Sequence, residues 1–273
     1  MDAKKRNEDS AYNNVVTRLR EAGCVFAEDE ASLLISAAQS PDDLETMVKQ
    51  RVTGHPIEYV IGWENFCGLR IALDRGVFVP RHRTEFLVSQ AAGLARTGSI
   101  VVDLCCGSGA VGAALAQKTE GIELYAADID PVAVQCARRN VAPFGGHVYE
   151  GDLYEPLPAK IYGHIDVLVA NAPYVPTNKI SLLPTEARRY EALAALDGGT
   201  DGLDIQRRVA AAAPLWLKPG GHLLVETSEQ QAPLAMEIFA RNGLLPQMAR
   251  SEELDATVII GTRPLLPMDH TNP

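Results

Sequence analysis

Ile100-Val101-Val102-Asp103-Leu104-Cys105-Cys106-Gly107-Ser108-Gly109-Ala110 is the stretch on which the fold turns. Its first five residues form a short, mostly β-branched run without apolar–polar alternation, as expected of a strand covered on both faces. The run enters a turn of small residues. Such residues let a backbone approach a ligand closely, and the glycines reach angles that other residues avoid. Helical periodicity then begins at Ala110 and continues to residue 118.

Outward from this unit, strand and helix keep alternating. Further strands are predicted at 123–127, 147–150, 166–170, 222–226 and 257–261, and further helices at 131–140, 204–217 and 232–242. This order implies the α/β class, with a Rossmann-like, mostly parallel sheet that takes its ligand at the carboxyl ends of the strands.

Upstream the pattern differs. Residues 1–9 are charged and expected to fray, and Val15, Val16 and Leu19 recur at helical spacing from Ser10 until Gly23. A second apolar-periodic piece covers 28–38. A third opens on Ser40-Pro41-Asp42-Asp43, a cap, a first-turn proline and two acids at the positive helix end. Three units are therefore expected: a small helical domain (1–55), a β-hairpin linker (56–80) and an α/β domain (81–273). The hairpin is predicted from the strand-like Tyr59-Val60-Ile61 and Leu69-Arg70-Ile71-Ala72-Leu73, Thr84 is a candidate cap of the helix 84–94, and 262–273 is a polar tail.

Composition narrows the function. Hydrophobic residues make up 47% and charged residues 22%, the balance of a globular chain. There are 25 basic and 35 acidic residues, a net charge of −10, and the short basic clusters lie mostly in acidic surroundings. Phosphate neutralisation drives general nucleic-acid binding, so direct binding of DNA or RNA is not expected. The five cysteines show no CxxC and no metal-ligand spacing, which implies no metal and a reducing compartment. No signal peptide and no membrane-length apolar run is found, so a cytoplasmic protein without membrane association is expected.

Two carboxylates sharpen the reading of the glycine-rich turn. Asp103 sits at the end of its strand, and Asp128 ends the next one, 19 residues after Gly109, where it can accept from both hydroxyls of a ribose. DxxxGSG is not the GxGxxG of dinucleotide enzymes. Either acid alone could simply cap a helix or solvate a strand end. Asp130, just before Pro131, reads as a helix cap. Asp152-Leu153 follows the third strand.

The fourth strand ends in Val169-Ala170-Asn171-Ala172-Pro173-Tyr174. This resembles the Asn-Pro-Pro-Tyr and Asp-Pro-Pro-Tyr motifs of methyltransferases that act on nitrogens conjugated to a π-system. An amide nitrogen is a poor nucleophile because its lone pair is delocalised, as the barrier of roughly 18–20 kcal/mol to peptide rotation shows. Two acceptors facing the NH₂ can orient it and favour lone-pair localisation toward a methyl group. The resemblance gives those roles to the Asn171 side-chain oxygen and the carbonyl of residue 172, with Pro173 and Tyr174 completing the catalytic loop and Tyr174 packing on the planar group.

The wider chain is similar to the HemK/PrmC-type glutamine methyltransferases that modify peptide chain release factors. Gly54-His55-Pro56-Ile57-Glu58-Tyr59-Val60-Ile61-Gly62 resembles that family's linker, and Val79-Pro80-Arg81-His82-Arg83-Thr84-Glu85 its PR-x-x-TE segment. Tyr190-Glu191-Ala192, Ala195 to Leu203 and Leu217-Lys218-Pro219-Gly220-Gly221 resemble its post-motif loop and fifth strand.

The resemblance implies a class I fold using S-adenosylmethionine and a protein substrate bearing a glutamine, a release factor or another protein. It assigns Asp103, Cys105, Cys106, Gly107, Ser108, Gly109, Asp128, Asp152, Leu153 and Asn171 to the cofactor, with Asp152 at the adenine amine. Departures from the pattern are Ala172 and Ala192 in place of prolines, His82 where proline is common, and Cys105-Cys106 in place of Gly-Thr. A proline at 172 would stiffen the loop. The cysteine pair reads either as a redox pair or as small-residue packing, Arg81 and Glu85 as a helix-start ion pair with Thr84-Glu85 near the cofactor pocket as the alternative, and Gly198-Gly199 as a turn. Methylation of an exocyclic amine in DNA or RNA, or a cofactor-binding protein without turnover, are the alternatives.

Overall fold

A computed structural model describes residues 3–265. Helix α1 (Ala3–Glu21) starts ahead of the expected Ser10, and α2 (Ala27–Ala37) and α3 (Pro41–Val52) follow it. Ser40 caps α3 as anticipated, its hydroxyl accepting from Asp43 N at 3.1 Å. Val15, Leu19, Leu34 and Val48 meet in one apolar cluster. That burial supports helices too short to be stable alone.

The strand expected at Tyr59–Ile61 is instead helical, as α4 (Ile57–Ile61). Ile57, Val60 and Ile61 stand at i, i+3 and i+4 and turn one face to the three-helix cluster, while Tyr59 is buried in a separate one. Tertiary burial of that face overrides the strand preference of the branched side chains. The hairpin forms one step later, from β1 (Trp63–Phe66) and β2 (Leu69–Ala72), with Phe66 opposite Leu69. Cys67 and Gly68 at the turn have φ of 51° and 78°, the positive values a two-residue hairpin needs. Phe66 and Ile71 pack into the same cluster as Leu87 and Val88 of α5 (Glu85–Leu94).

Strand and helix then alternate through β3 (Ile100–Leu104), α6 (Ala110–Lys118), β4 (Glu123–Asp128), α7 (Pro131–Val141), β5 (His147–Glu150) and β6 (Ile165–Ala170). After α8 (Thr185–Tyr190) come α9 (Asp204–Trp216), β7 (Leu217–Thr227), α10 (Ala232–Arg241), β8 (Leu245–Ser251) and β9 (Ala256–Thr262). The seven strands are ordered β5-β4-β3-β6-β7-β9-β8, parallel from β5 to β7, with β9 antiparallel to both its neighbours. This is the mixed α/β, mostly parallel sheet expected of the chain, with β8 as an unanticipated edge strand. Residues 266–273, most of the expected polar tail, lie outside the described residues.

Strand alternation divides the core into two layers. Val102, Leu104, Leu168, Ala170, Leu223 and Val225 join α9 and α10 on one face, whereas Val101, Val167, Val169 and Leu224 join α5 and α6 on the other. No helix among the described residues is long and apolar enough to cross a membrane.

Candidate active site

Leu104, Ala127, Ala170 and Val225 are in register near the carboxyl ends of four adjacent parallel strands. Cys105, Asp128, Asn171 and Glu226, which follow them, therefore leave the sheet side by side. The chain winds to β4 on one side of β3 and to β6 on the other, which makes this edge the crevice of the fold. A cavity of about 830 Å³ opens there, lined by Asp103, Cys105 to Ser108, Asp128, Asp152, Leu153 and Asn171 to Tyr174. Gly109 is the one expected site residue outside that wall. At φ +75° a Cβ on Gly109 would stand 2.9 Å from Val141 Cγ2 and 3.0 Å from Ala137 Cβ, so Gly109 lets α6 start hard against α7.

The glycine-rich turn is held by the acid of the neighbouring strand. Gly107 N donates to Asp128 Oδ2 at 2.8 Å and Asp130 N to Asp128 Oδ1 at 2.9 Å. A carboxylate offers about four acceptor positions, so Asp128 keeps capacity for further donors from the cavity. Burial raises its pKa, opposed by those same amides. Asp103 is 1% exposed, and Gly112 N donates to its Oδ2 at 2.9 Å. Burial pushes the Asp103 carboxyl up to about 7. Asp130 caps α7 by accepting from Val132 N, as expected.

Cys105 adopts φ 54°, and both Cys105 and Cys106 are free thiols pushed up by burial. Protonated thiols are poor redox nucleophiles, which favours the packing reading of the pair. Asp152 reaches the cavity wall while its Oδ2 is paired with Arg208 at 2.6 Å.

On the other side of the cavity, Thr84 does not cap its helix. Its buried hydroxyl lies 3.4 Å from Asn171 Nδ2, which donates to it. Among the described residues, neither Asn171 Oδ1 nor the Ala172 carbonyl accepts a hydrogen bond. Two acceptors on consecutive residues of a cavity wall are thus free for a donor from the cavity. Tyr174 is braced from both ends. Its hydroxyl donates to Glu226 Oε1 at 2.9 Å and its carbonyl accepts from Gln231 Nε2 at 2.9 Å.

The glycines after the motif are more than a turn. A Cβ on Gly198 would stand 2.7 Å from Pro173 O, and one on Gly202 2.3 Å from Tyr174 O. Their absence lets the loop lie on the motif, fixed by Gly198 N to Val175 O at 2.9 Å.

Arg81 does not pair with Glu85. Its guanidinium donates to Glu191 Oε1, and Glu85 accepts from Cys67 N at 2.9 Å instead, tying the hairpin to α5. Phe78, Arg81, Arg83 and Glu191 also line the cavity. Of these, Phe78 and Arg83 had no role in the sequence reading, and neither had Glu226 behind the wall. Its placement at the carboxyl end of a parallel strand was the available signal.

Three comparisons bear on this site. Residues 69–199 match the family model of the methyltransferase small domain. The chain is 35% identical over 265 residues to the release factor glutamine methyltransferase of Geobacter sulfurreducens, covering 90% of this chain and 92% of that one. It is also 35% identical to the corresponding protein of Gloeobacter violaceus, over 68% of this chain and 66% of that one. A solved methyltransferase structure from Pyrococcus furiosus superposes with a TM-score of 0.56 at 17% identity, over 72% of this chain and 90% of that chain, a likeness of fold.

Proposed function

This chain belongs to the release factor glutamine methyltransferase family, and on that premise we propose that it methylates the side-chain amide nitrogen of a glutamine in a protein, a peptide chain release factor. The observation that carries the reading is the pair of free acceptors, Asn171 Oδ1 and Ala172 O, in one cavity with the Asp128-braced turn. S-adenosylmethionine is the donor: when bound, it supplies a methyl group on a positively charged sulfur that leaves as a neutral thioether.

The residues present fit that donor. Asp128 has acceptor capacity left for ribose hydroxyls, and the turn from Cys105 to Ser108 leaves room beside it. Asp103, when ionised, offers the buried negative charge that an ammonium group needs. Asp152 and Leu153, on the wall of the same cavity, are assigned to the adenine, with Arg208 fixing the Asp152 carboxylate.

At the nitrogen, Asn171 Oδ1 and Ala172 O each accept one N–H of the substrate amide, holding its plane and exposing the lone pair. The N–C bond forms as the C–S bond breaks, and the nitrogen then releases one proton to water, so no strong base is needed beside it. Tyr174 packs on the flat amide. Holding a nucleophile in line can supply several kcal/mol of the barrier reduction. The α1–α3 unit is assigned to docking the substrate protein, and the reaction to the cytoplasm.

Labelled S-adenosylmethionine with a purified release factor and with total cell protein, followed by mass spectrometry, tests the reading. Label on a glutamine amide is the expected result. Label confined to nucleic acid would transfer the site to exocyclic amines.

A further inference from the structure

Glu226 is a buried carboxylate that does not line the cavity. Its side chain is 2% exposed, and its Oε2 has no hydrogen-bond partner among the described residues. Burying such a charge costs several kcal/mol unless it is paired, and a well-packed apolar residue is often as stable in its place. A position needing only packing therefore has no use for it. What Glu226 touches is specific. Its Oε1 accepts from the Tyr174 hydroxyl at 2.9 Å and from Arg83 Nε at 3.1 Å. Its own carbonyl accepts from Gln206 Nε2 at 3.0 Å, which anchors the main chain beneath. Both partners of the carboxylate do line the cavity, and the Arg83 guanidinium stands 5.8 Å from the Tyr174 ring centroid.

We propose that Glu226 is a positioning residue for methyl transfer, fixing the Tyr174 ring against the substrate amide through its hydroxyl, with Arg83 supplying the countercharge. The proposal rests on the reading of Tyr174 as a substrate-facing residue. It also accounts for the tolerance of Ala172 in this loop. A proline at 172 would restrict the chain just before Tyr174, and without it the orientation comes from side-chain and main-chain anchors, Glu226 and Gln231, on the next strand and the turn after it. The register makes this possible: Ala170 pairs with Val225, so Asn171 and Glu226 start level and Tyr174 reaches back across one strand spacing.

The test compares wild type with Glu226→Leu, which removes the acceptor, Tyr174→Phe and the double variant, using a purified release factor and labelled S-adenosylmethionine. Each single variant is expected to lower kcat about 10- to 100-fold, the scale of a small misplacement of reacting groups. KM for S-adenosylmethionine stays within about twofold of wild type, a shift of less than roughly 0.5 kcal/mol. The double variant is expected to be no slower than Tyr174→Phe, because Glu226 acts through the hydroxyl that this change removes. Full activity in Glu226→Leu, or multiplied losses in the double variant, would overturn the proposal. The urea midpoints of the same four proteins need no substrate. A coupled pair gives the double variant a shift smaller than the sum of the single shifts, and additive shifts count against the proposal. Wild type leaving the release factor unlabelled would defeat the substrate reading alone, and the midpoints would still judge the pairing.

Discussion

Arg81 and Glu191, 110 residues apart in sequence, meet at 2.5 Å across the cavity wall. The glutamate side chain is 2% exposed and the arginine 35%. Burial raises the Glu191 carboxyl, and Arg81 works against that rise. The pair joins the segment entering the catalytic sheet to the loop that follows the NAPY motif.

Removing Arg81 strands the buried carboxylate. Arg81→Met is expected to cost about 2 kcal/mol of stability, below the range of a fully buried pair because the arginine is partly solvated. The loss should be larger at pH 8, where Glu191 must be ionised without its partner, than at pH 5, where it can take up a proton. Urea unfolding at both values measures the difference.

Asp103 has a raised folded-state pKa, about 7, so its linkage runs opposite to that of a salt-bridged acid. Its contribution to stability is fully present below the unfolded value, about 4, and is lost as pH rises through about 7. Asp103→Asn should therefore flatten the fall in stability between pH 5 and pH 8. S-adenosylmethionine should bind about 10-fold more weakly at pH 6 than at pH 8, because roughly a tenth of the carboxyl is ionised one unit below its pKa. Calorimetry in two buffers checks both the affinity and the proton released.

Cofactor and substrate roles should separate on mutation. Asn171→Ala is expected to abolish transfer and leave cofactor affinity near wild type. Asp128→Ala should weaken cofactor binding at least 10-fold, the scale of a lost charged hydrogen-bond acceptor. Equal effects of the two changes on affinity would contradict the division.

Thr84 accepts from the amine end of the Asn171 amide, and the oxygen end has no partner among the described residues. Thr84→Val keeps the volume and removes the acceptor, so the amide is free to flip. A fall in kcat of about 10-fold, worth roughly 1.4 kcal/mol, is expected. Thr84→Ser should restore most of it.

Gly202 presses on Tyr174 O at φ +82°. Gly202→Ala brings a Cβ within 2.3 Å of that oxygen, so the loop must lift from the motif. Transfer should be lost while the sheet stays folded, seen as a near-normal far-ultraviolet dichroism spectrum with no methylated product.

The parts of the fold legible in sequence were those with local signatures. Ser40 and Asp130 announced their helices because a cap, a following proline and a periodic run lie within a few residues. Strand β8 escaped because an edge strand needs no continuous apolar run: Leu245 and Met248 are exposed in it, and Pro246 breaks the usual composition. At the site, Asp103, Asp128 and Asn171 were visible as strand ends. Glu226 also ends a predicted strand, but its role stayed hidden because its partnership with Arg83 spans 143 residues and leaves no spacing to read. The Arg81–Glu85 pairing went the other way. Proximity in sequence suggested it, and the buried Glu191 offered Arg81 a drier partner.

The position of β9 sets the order in which the sheet can be completed. It lies between β7 and β8, so the last described strand to be synthesised is an interior one. Until residues 256–262 emerge from the ribosome, the far edge of β7 has no neighbour and β8 has nothing to pair with. A nascent chain arrested before residue 256 should therefore be cut readily by protease around β7, the strand that carries Glu226, and gain protection once β9 slides in.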